Sequence, residues 1–273
     1  MKYPKMKNNR RSFLSRAAVL GLMSALPFQL KSKPKPKKLP SLKGRKVLFV
    51  YGGWDGHEPV KYKDYMNEWL TSEGAEVTIS DSLDSYLDEE LMASTDLVVQ
   101  IYTMSQITGE QEKALVNAVK DGMGIAGWHG GLCDAFRNNV DYQYMTGGQW
   151  VAHPGGVIDY TVRVLETGDE VTAGLNDFPM TSEQYYMHVD PNVKVLATTR
   201  FGGDVDSWIN GCVMPVTWKK IFGKGRVFYT SLGHNLDHLT SEPAALEMLQ
   251  RGIKWASASK YEPTEKLVNP IYG

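Results

Sequence analysis

The sequence predicts one α/β domain built on a parallel sheet with helices on both faces. Three observations predict it. The runs Lys46-Val47-Leu48-Phe49-Val50-Tyr51 and Asp96-Leu97-Val98-Val99-Gln100-Ile101-Tyr102 are apolar without alternation, as strands buried on both faces are. A helical pattern fills 108–121: Thr108 and Gln111 have capping-box spacing, and Ala114, Leu115, Ala118 and Val119 form one apolar stripe. The stretch Gly124-Ile125-Ala126-Gly127-Trp128-His129-Gly130-Gly131 then reads as a buried strand that stops in a glycine-framed corner. Strands alternating with helices require right-handed crossovers and a covered sheet. Ligands of such sheets bind beyond the carboxyl ends of the strands.

The chain has 273 residues, 42% hydrophobic and 22% charged, enough for one full core. Its net charge of −1 hides an asymmetry. Residues 1–46 hold 14 basic residues and no acidic one, so the remaining 16 basic and 31 acidic residues carry −15. A domain that acidic is not expected to bind nucleic acid, whose affinity comes from phosphate neutralisation. Cys133 and Cys212 make neither a disulfide framework nor a zinc cluster; one bridge or two buried thiols both fit.

Residues 1–30 read as an export signal. Asn9-Arg10-Arg11-Ser12-Phe13-Leu14 resembles the twin-arginine type, and the apolar run over 17–28 is 12 residues, too short to span a bilayer. A generic secretory signal is the alternative. The expected location is the periplasm, with membrane contact only during export or through an uncleaved signal. Residues 31–45, rich in Lys, Ser and Pro, read as a solvated linker. The folded domain is expected over 46–258 and a tail over 259–273.

After the first strand, a Gly-rich loop carries Trp54, His57 and Glu58, and Pro59 opens a helix to about residue 73. Strands are expected at 77–80 and 96–102, then the helix at 108–121, ended by Gly122, and the corner strand. Beyond it, 141–148 reads as irregular and aromatic. Residues 150–156 form a second Gly/Pro loop carrying His153, and 159–165 alternates like a half-buried antiparallel strand. Glu183-Gln184-Tyr185-Tyr186 precedes a strand at 194–199. Strands at 212–218 and 226–230 follow, the second running into Ser231-Leu232-Gly233-His234. Ser241 and Pro243 open the last helix, with Leu246, Leu249 and Ile253 as its buried stripe. No internal repeat and no second domain boundary is visible.

Gly127-x-His129-x-Gly131 has the spacing of a nucleophile elbow, which pushes its central side chain out at a strand's end. An imidazole there can be a base, an acid or a metal ligand. All six histidines fall in or beside loops. Singly, each also fits a hydrogen-bonded loop residue. Together, His57, His129 and His153 are the candidate ligands of a divalent metal such as zinc, with an open fourth position. His129, Glu183 and His234 are the candidate catalytic residues, Glu183 as the general base among tyrosines. Trp54, Glu58, Trp128, Tyr185 and Tyr186 are the candidate substrate contacts, because aromatic faces suit the C–H faces of pyranose rings. Each aromatic alone also fits the core.

Several segments in order carry a resemblance over 46–257. They are Gly127-Trp128-His129-Gly130-Gly131, then Gly147-Gly148 leading to His153-Pro154, then Glu183-Gln184-Tyr185-Tyr186. Met214-Pro215-Val216-Thr217-Trp218, the run from Gly225 through Tyr229 to His234, and Gly252-Ile253-Lys254-Trp255-Ala256 follow. On these the chain resembles the ThuA-like family, named for trehalose utilisation and related to class I glutamine amidotransferases. The resemblance implies a flavodoxin-like, class I glutamine amidotransferase-like three-layer sandwich with a mainly parallel sheet. It also implies a role in sugar metabolism, including oxidised keto-sugars, with a bound divalent metal. The chain departs from these patterns at Met214, where the family often has histidine. It also departs at His129, where the amidotransferases have the nucleophilic cysteine, and at Leu236, where their His-x-Glu pair would end. Cysteine-dependent glutamine hydrolysis therefore has no nucleophile here.

The expectation is an exported protein of carbohydrate utilisation whose partner is a small carbohydrate. As an enzyme it would be a hydrolase or isomerase acting on a sugar or keto-sugar by histidine and glutamate proton transfer, metal-assisted hydrolysis included. The alternative is a periplasmic sugar-binding or accessory protein that keeps the pocket without the chemistry. The oligomeric state is left open.

Overall fold

The computed structural model describes residues 37–165 and 168–267. The export signal expected at 1–30, the start of the linker and the last tail residues lie outside the described residues.

The first half alternates as expected: β1 (Lys46–Gly53), α1 (Pro59–Ser72), β2 (Glu76–Ser80), α2 (Glu89–Ser94), β3 (Leu97–Thr103), α3 (Gly109–Asp121) and β4 (Gly124–Trp128). A four-residue helix α4 (Gly130–Cys133) leaves the corner, followed by α5 (Val140–Thr146), β5 (Gly148–Ala152), β6 (Val157–Val164), β7 (Phe178–Glu183) and β8 (Tyr186–Val189). The chain closes with β9 (Lys194–Arg200), β10 (Val213–Phe222), β11 (Gly225–Thr230), α6 (Leu236–Thr240) and α7 (Pro243–Ser257).

Nine strands form one sheet in the order β2-β1-β3-β4-β11-β10-β9-β6-β7. The first five run parallel, in the flavodoxin-like order. The last four are antiparallel. Side-chain alternation splits the core in two. Val47, Phe49, Val99 and Ala126 face α1 and α7, whose Tyr62, Met66, Leu249 and Ile253 cover them. Leu48, Val50, Val98 and Ile125 face α3 and α5, covered by Leu115, Val119, Tyr142 and Met145. The result is the three-layer, mainly parallel α/β sandwich.

The sheet does not stay flat. β10 and β9 slip register around Pro215, Thr217 and Trp218, and bulges of this kind bend and twist a sheet. β7 lies five places from β4 in the hydrogen-bonded order, which would be about 24 Å in a flat sheet at ~4.8 Å per strand. Yet Glu183 at the end of β7 sits 3.0 Å from His129 after β4. The antiparallel half therefore curls over the carboxyl ends of the parallel half.

α2, β5, β8 and α6 lie outside the expected elements, and three further elements differ from expectation. The supposedly irregular 141–148 holds α5: the Asn139 side chain accepts from Tyr142 N at 2.8 Å, and Gly147 at φ 86° ends the helix. β7 escaped notice because Pro179 interrupts it, which an edge strand tolerates. α7 is capped by Glu242, not Ser241, with Leu246 half-buried and Ala245, Met248 and Gly252 in the core with Leu249 and Ile253.

Packing reaches past both expected ends of the domain. Leu42 is fully buried and Gly44 donates to Gly74. Arg226 bonds both Ser259 and Glu262, and Tyr261 donates to Asp96 at 2.9 Å. Both thiols are free, Cys133 buried and Cys212 half-buried. No helix among the described residues is long and apolar enough to cross a membrane.

Candidate functional site

Three strand ends and the curled edge of the sheet meet in one crevice. After β1 a single turn carries His57 inward, and its Nδ1 lies 2.9 Å from Thr103 Oγ1 at the end of β3. After β4 the corner residue His129 takes φ 47°, ψ −139°, a strained conformation of the kind that accumulates at functional sites. The glycines behind it are needed for close approach. A Cβ on Gly130 would meet His57 Cε1 at 2.5 Å, and one on Gly131 would meet the Ile101 backbone at 2.6 Å.

His129 Nδ1 donates to the Ser231 carbonyl at 2.8 Å. That bond fixes the tautomer and aims the Nε2 lone pair at Glu183 Oε2, 3.0 Å away. After β11 the chain delivers His234, whose backbone N–H donates to Ser182 Oγ. Its Nδ1 is buried, 3.2 Å from Glu183 Oε2 and aligned for no hydrogen bond. His57 Nε2 stands 3.9 Å from the same oxygen. One ligand atom from each of His57, His129, Glu183 and His234 lies within 4.8 Å of all the others.

Electrostatics follow from this crowding. Burial, reinforced by His129 and His234 nearby, pushes the His57 imidazole down to about 2. Burial also lowers His129, against the pull of Glu183. Burial pushes the Glu183 carboxyl up, but the close approach of His129 and His234 outweighs it and holds the group well below the carboxylate range. Deprotonated imidazoles around an ionised carboxylate form a donor set suited to a divalent metal.

The expected trio converges only in part. His57 and His129 come together, and His234 is the third histidine beside Glu183 Oε2. His153, on the loop between β5 and β6, reaches only the outer oxygen, 3.7 Å from Glu183 Oε1, with its side chain 38% exposed. The reason is topological: β11 neighbours β4, so its end enters the crevice beside His129 directly.

The expected substrate contacts divide. Trp54 stands at the rim, 46% exposed, edge-on to His57 at 4.8 Å. Tyr185 is buried and stacks on His129 at 4.1 Å, so it orients the imidazole from behind. Trp128 is a correction: strand alternation turns it into the core against Phe49 and Tyr62, fully buried, where no substrate reaches. Tyr186 packs against Phe201 instead of the histidines. Glu58, at φ 50°, pairs with Lys61 and accepts from Leu236 N at 3.1 Å, which anchors the start of α6. Its carboxyl is lowered by the Lys61 bond.

Sequence reasoning missed the positioning roles of Thr103, Ser182 and Ser231 at strand ends; Thr103 and Ser182 belong to no motif, and Ser231 acts through its backbone carbonyl inside the Gly225–His234 segment. It also missed a wall of the crevice: Arg137 pairs with buried Asp134 at 2.6 and 2.8 Å and lies 4.4 Å from the Trp150 ring, which faces His153 at 5.5 Å.

The family profile described as "ThuA: Trehalose utilisation" matches residues 46–256. A solved ThuA-like protein from Bacteroides uniformis is 16% identical with a TM-score of 0.66, over 86% of this chain and 99% of that one. Another, from Parabacteroides merdae, is 18% identical with a TM-score of 0.64, over 82% and 93%. At those identities the likeness shows the fold. No curated protein matches the chain.

Proposed function

The chain belongs to the ThuA family, which supports a role in carbohydrate utilisation, and on that premise we propose an enzyme acting on a sugar or keto-sugar at a divalent metal held by His57, His129, His234 and Glu183. One observation carries the reading. His129 Nε2 and Glu183 Oε2 are both acceptors, 3.0 Å apart, because His129 already donates through Nδ1. Two lone pairs so placed repel unless a cation or a proton lies between them. About 3.0–3.4 Å separates neighbouring ligands on one ion with bonds near 2.1 Å. The orphaned, buried His234 Nδ1 fits the same set.

When bound, such an ion supplies Lewis-acid polarisation of a carbonyl or hydroxyl oxygen. The chain's own groups do the rest. His153, half-exposed beside Glu183 Oε1, is placed to take or give a proton at Nε2 at the mouth. Trp54 offers an aromatic face at the rim. Thr103 and Ser231 hold the imidazoles in register. Arg10-Arg11 ahead of the apolar run supports export to the periplasm.

The test is turnover. Metal-loaded protein is incubated with trehalose and with its singly oxidised keto derivative, and cleavage or proton exchange is followed by NMR. Turnover that chelator abolishes and zinc restores is expected, with Glu183→Gln slowed at least ~100-fold. Sugar binding without turnover in the metal-loaded protein would favour a binding protein instead.

A further inference from the structure

A second cavity of about 300 Å³ opens beside the histidine crevice, between the β3–α3 loop and the turn at 136–139. That volume is at the lower end for a small-molecule site. Its first wall residue, Met104, directly follows Thr103, the partner of His57. Its opposite wall, Arg137, lies against Trp150, which faces His153. The cavity thus adjoins the crevice through two residue contacts, Met104 next to Thr103 and Arg137 through Trp150 to His153.

The backbone marks this loop independently. Among the described residues only three non-glycines adopt positive φ: Glu58, Met104 and His129. Two of them bound the histidine crevice. Met104, at φ 48° and 41% exposed, bounds the cavity. Its N–H is tied to the Asp134 carbonyl and that of Ser105 to Ala135, so the strained loop is fixed to the opposite wall.

The lining chemistry selects a ligand. The side chains of Ser105, Gln106 and Asn138 make no hydrogen bond within the protein among the described residues. Asn139 uses its Oδ1 as a helix cap and leaves its amide N–H groups free. These groups both donate and accept, as sugar hydroxyls do. The single cation, Arg137, is matched by the bidentate Asp134, so the cavity lacks the surplus positive charge that an anion needs. Met104 and the half-buried Ile107 offer apolar surface for the C–H face of a ring.

We propose that this cavity is a second sugar subsite, holding a neutral hexose ring of the substrate while the adjoining ring lies against the histidine crevice. The inference rests on the sugar reading above and narrows it to disaccharides or glycosides. Monosaccharides fill one site only and are bound more weakly.

The test uses purified, isotope-labelled protein titrated with trehalose, glucose and inorganic phosphate, with NMR of the side-chain amides. Trehalose should shift the Gln106 and Asn138 amide resonances. Asn138→Trp, which fills the cavity from an exposed position, should weaken trehalose binding at least tenfold with metal content unchanged. Unmoved amides, wild-type affinity in Asn138→Trp, or a response to phosphate instead of sugar would each overturn the subsite. Metal content distinguishes the two readings: a metal-free protein strikes at the proposed function, whereas a metal-loaded protein that leaves these amides unmoved strikes only at the subsite.

Discussion

At the scale of single residues, the site depends on groups that never touch a substrate. Thr103 meets His57 Nδ1 at 2.9 Å, and partners of this kind typically carry a factor of 10–100 in metal affinity. Thr103→Val should therefore weaken zinc binding by roughly that factor, with the thermal midpoint nearly unchanged; competition with a chromophoric chelator reads it. Gly130→Ala is predicted to be harsher locally, since its Cβ would arrive 2.5 Å from His57 Cε1. It should displace that ring and lower metal affinity more than Thr103→Val does. Equal affinities for Gly130→Ala and wild type would mean that His57 is no ligand. The sequence made the histidines visible because loops rich in glycine held them. It hid which of them converge, because that depends on which strand ends are neighbours. His153 and His234 look alike as loop histidines, and only the adjacency of β11 to β4 separates them.

At the scale of elements, local signals were legible where one segment carries its own reason. The capping box at Thr108 and Gln111 is present as the spacing predicted. Thr108→Ala should cost about 1 kcal/mol, read by urea unfolding, with metal binding untouched. α5 and β7 were less legible because Asn139 and Pro179 speak for a helix cap and an edge strand only once neighbours are known. Close packing of α7 on the sheet is a further test. A Cβ on Gly252 would fall 2.1–2.3 Å from the Phe228 ring. Gly252→Ala should destabilise by about 1–3 kcal/mol through overpacking. A stability equal to wild type would mean that α7 sits farther from β11 than the structure has it.

At the scale of the whole molecule, the parallel half was readable and the curl of the antiparallel half was not, because a bulged register leaves no periodic trace. Yet the curl brings Glu183 to the histidines. A buried ion cluster ties that half together: Lys219 bonds Asp169 and Glu170, Lys194 bonds Asp169, and the Lys219 ammonium lies 4.6 Å from the Trp255 ring centre. Burial pushes the Asp169 carboxyl up, but Lys219 and Lys194 outweigh it and depress it. A depressed carboxyl stabilises above its unfolded value of about 3.9 and loses that contribution as pH falls through its folded value. Lys219→Met should therefore cost about 3–5 kcal/mol at pH 7, where buried Glu170 loses its ammonium partner and Asp169 is left with Lys194. The gap to wild type should narrow as pH falls below the unfolded value of about 3.9 toward the depressed folded value of Asp169; a pH-independent gap would assign the loss to packing alone. The central claim is that His57, His129, His234 and Glu183 hold one divalent ion, and the most direct measurement is elemental analysis of the purified protein with anomalous X-ray scattering at the metal edge. The account predicts one ion per chain within bonding distance of all four residues, lost in His129→Ala and His234→Ala while circular dichroism stays that of the folded protein. Wild-type protein that takes up no divalent ion, or a His234→Ala variant that binds it as wild type does, would contradict it.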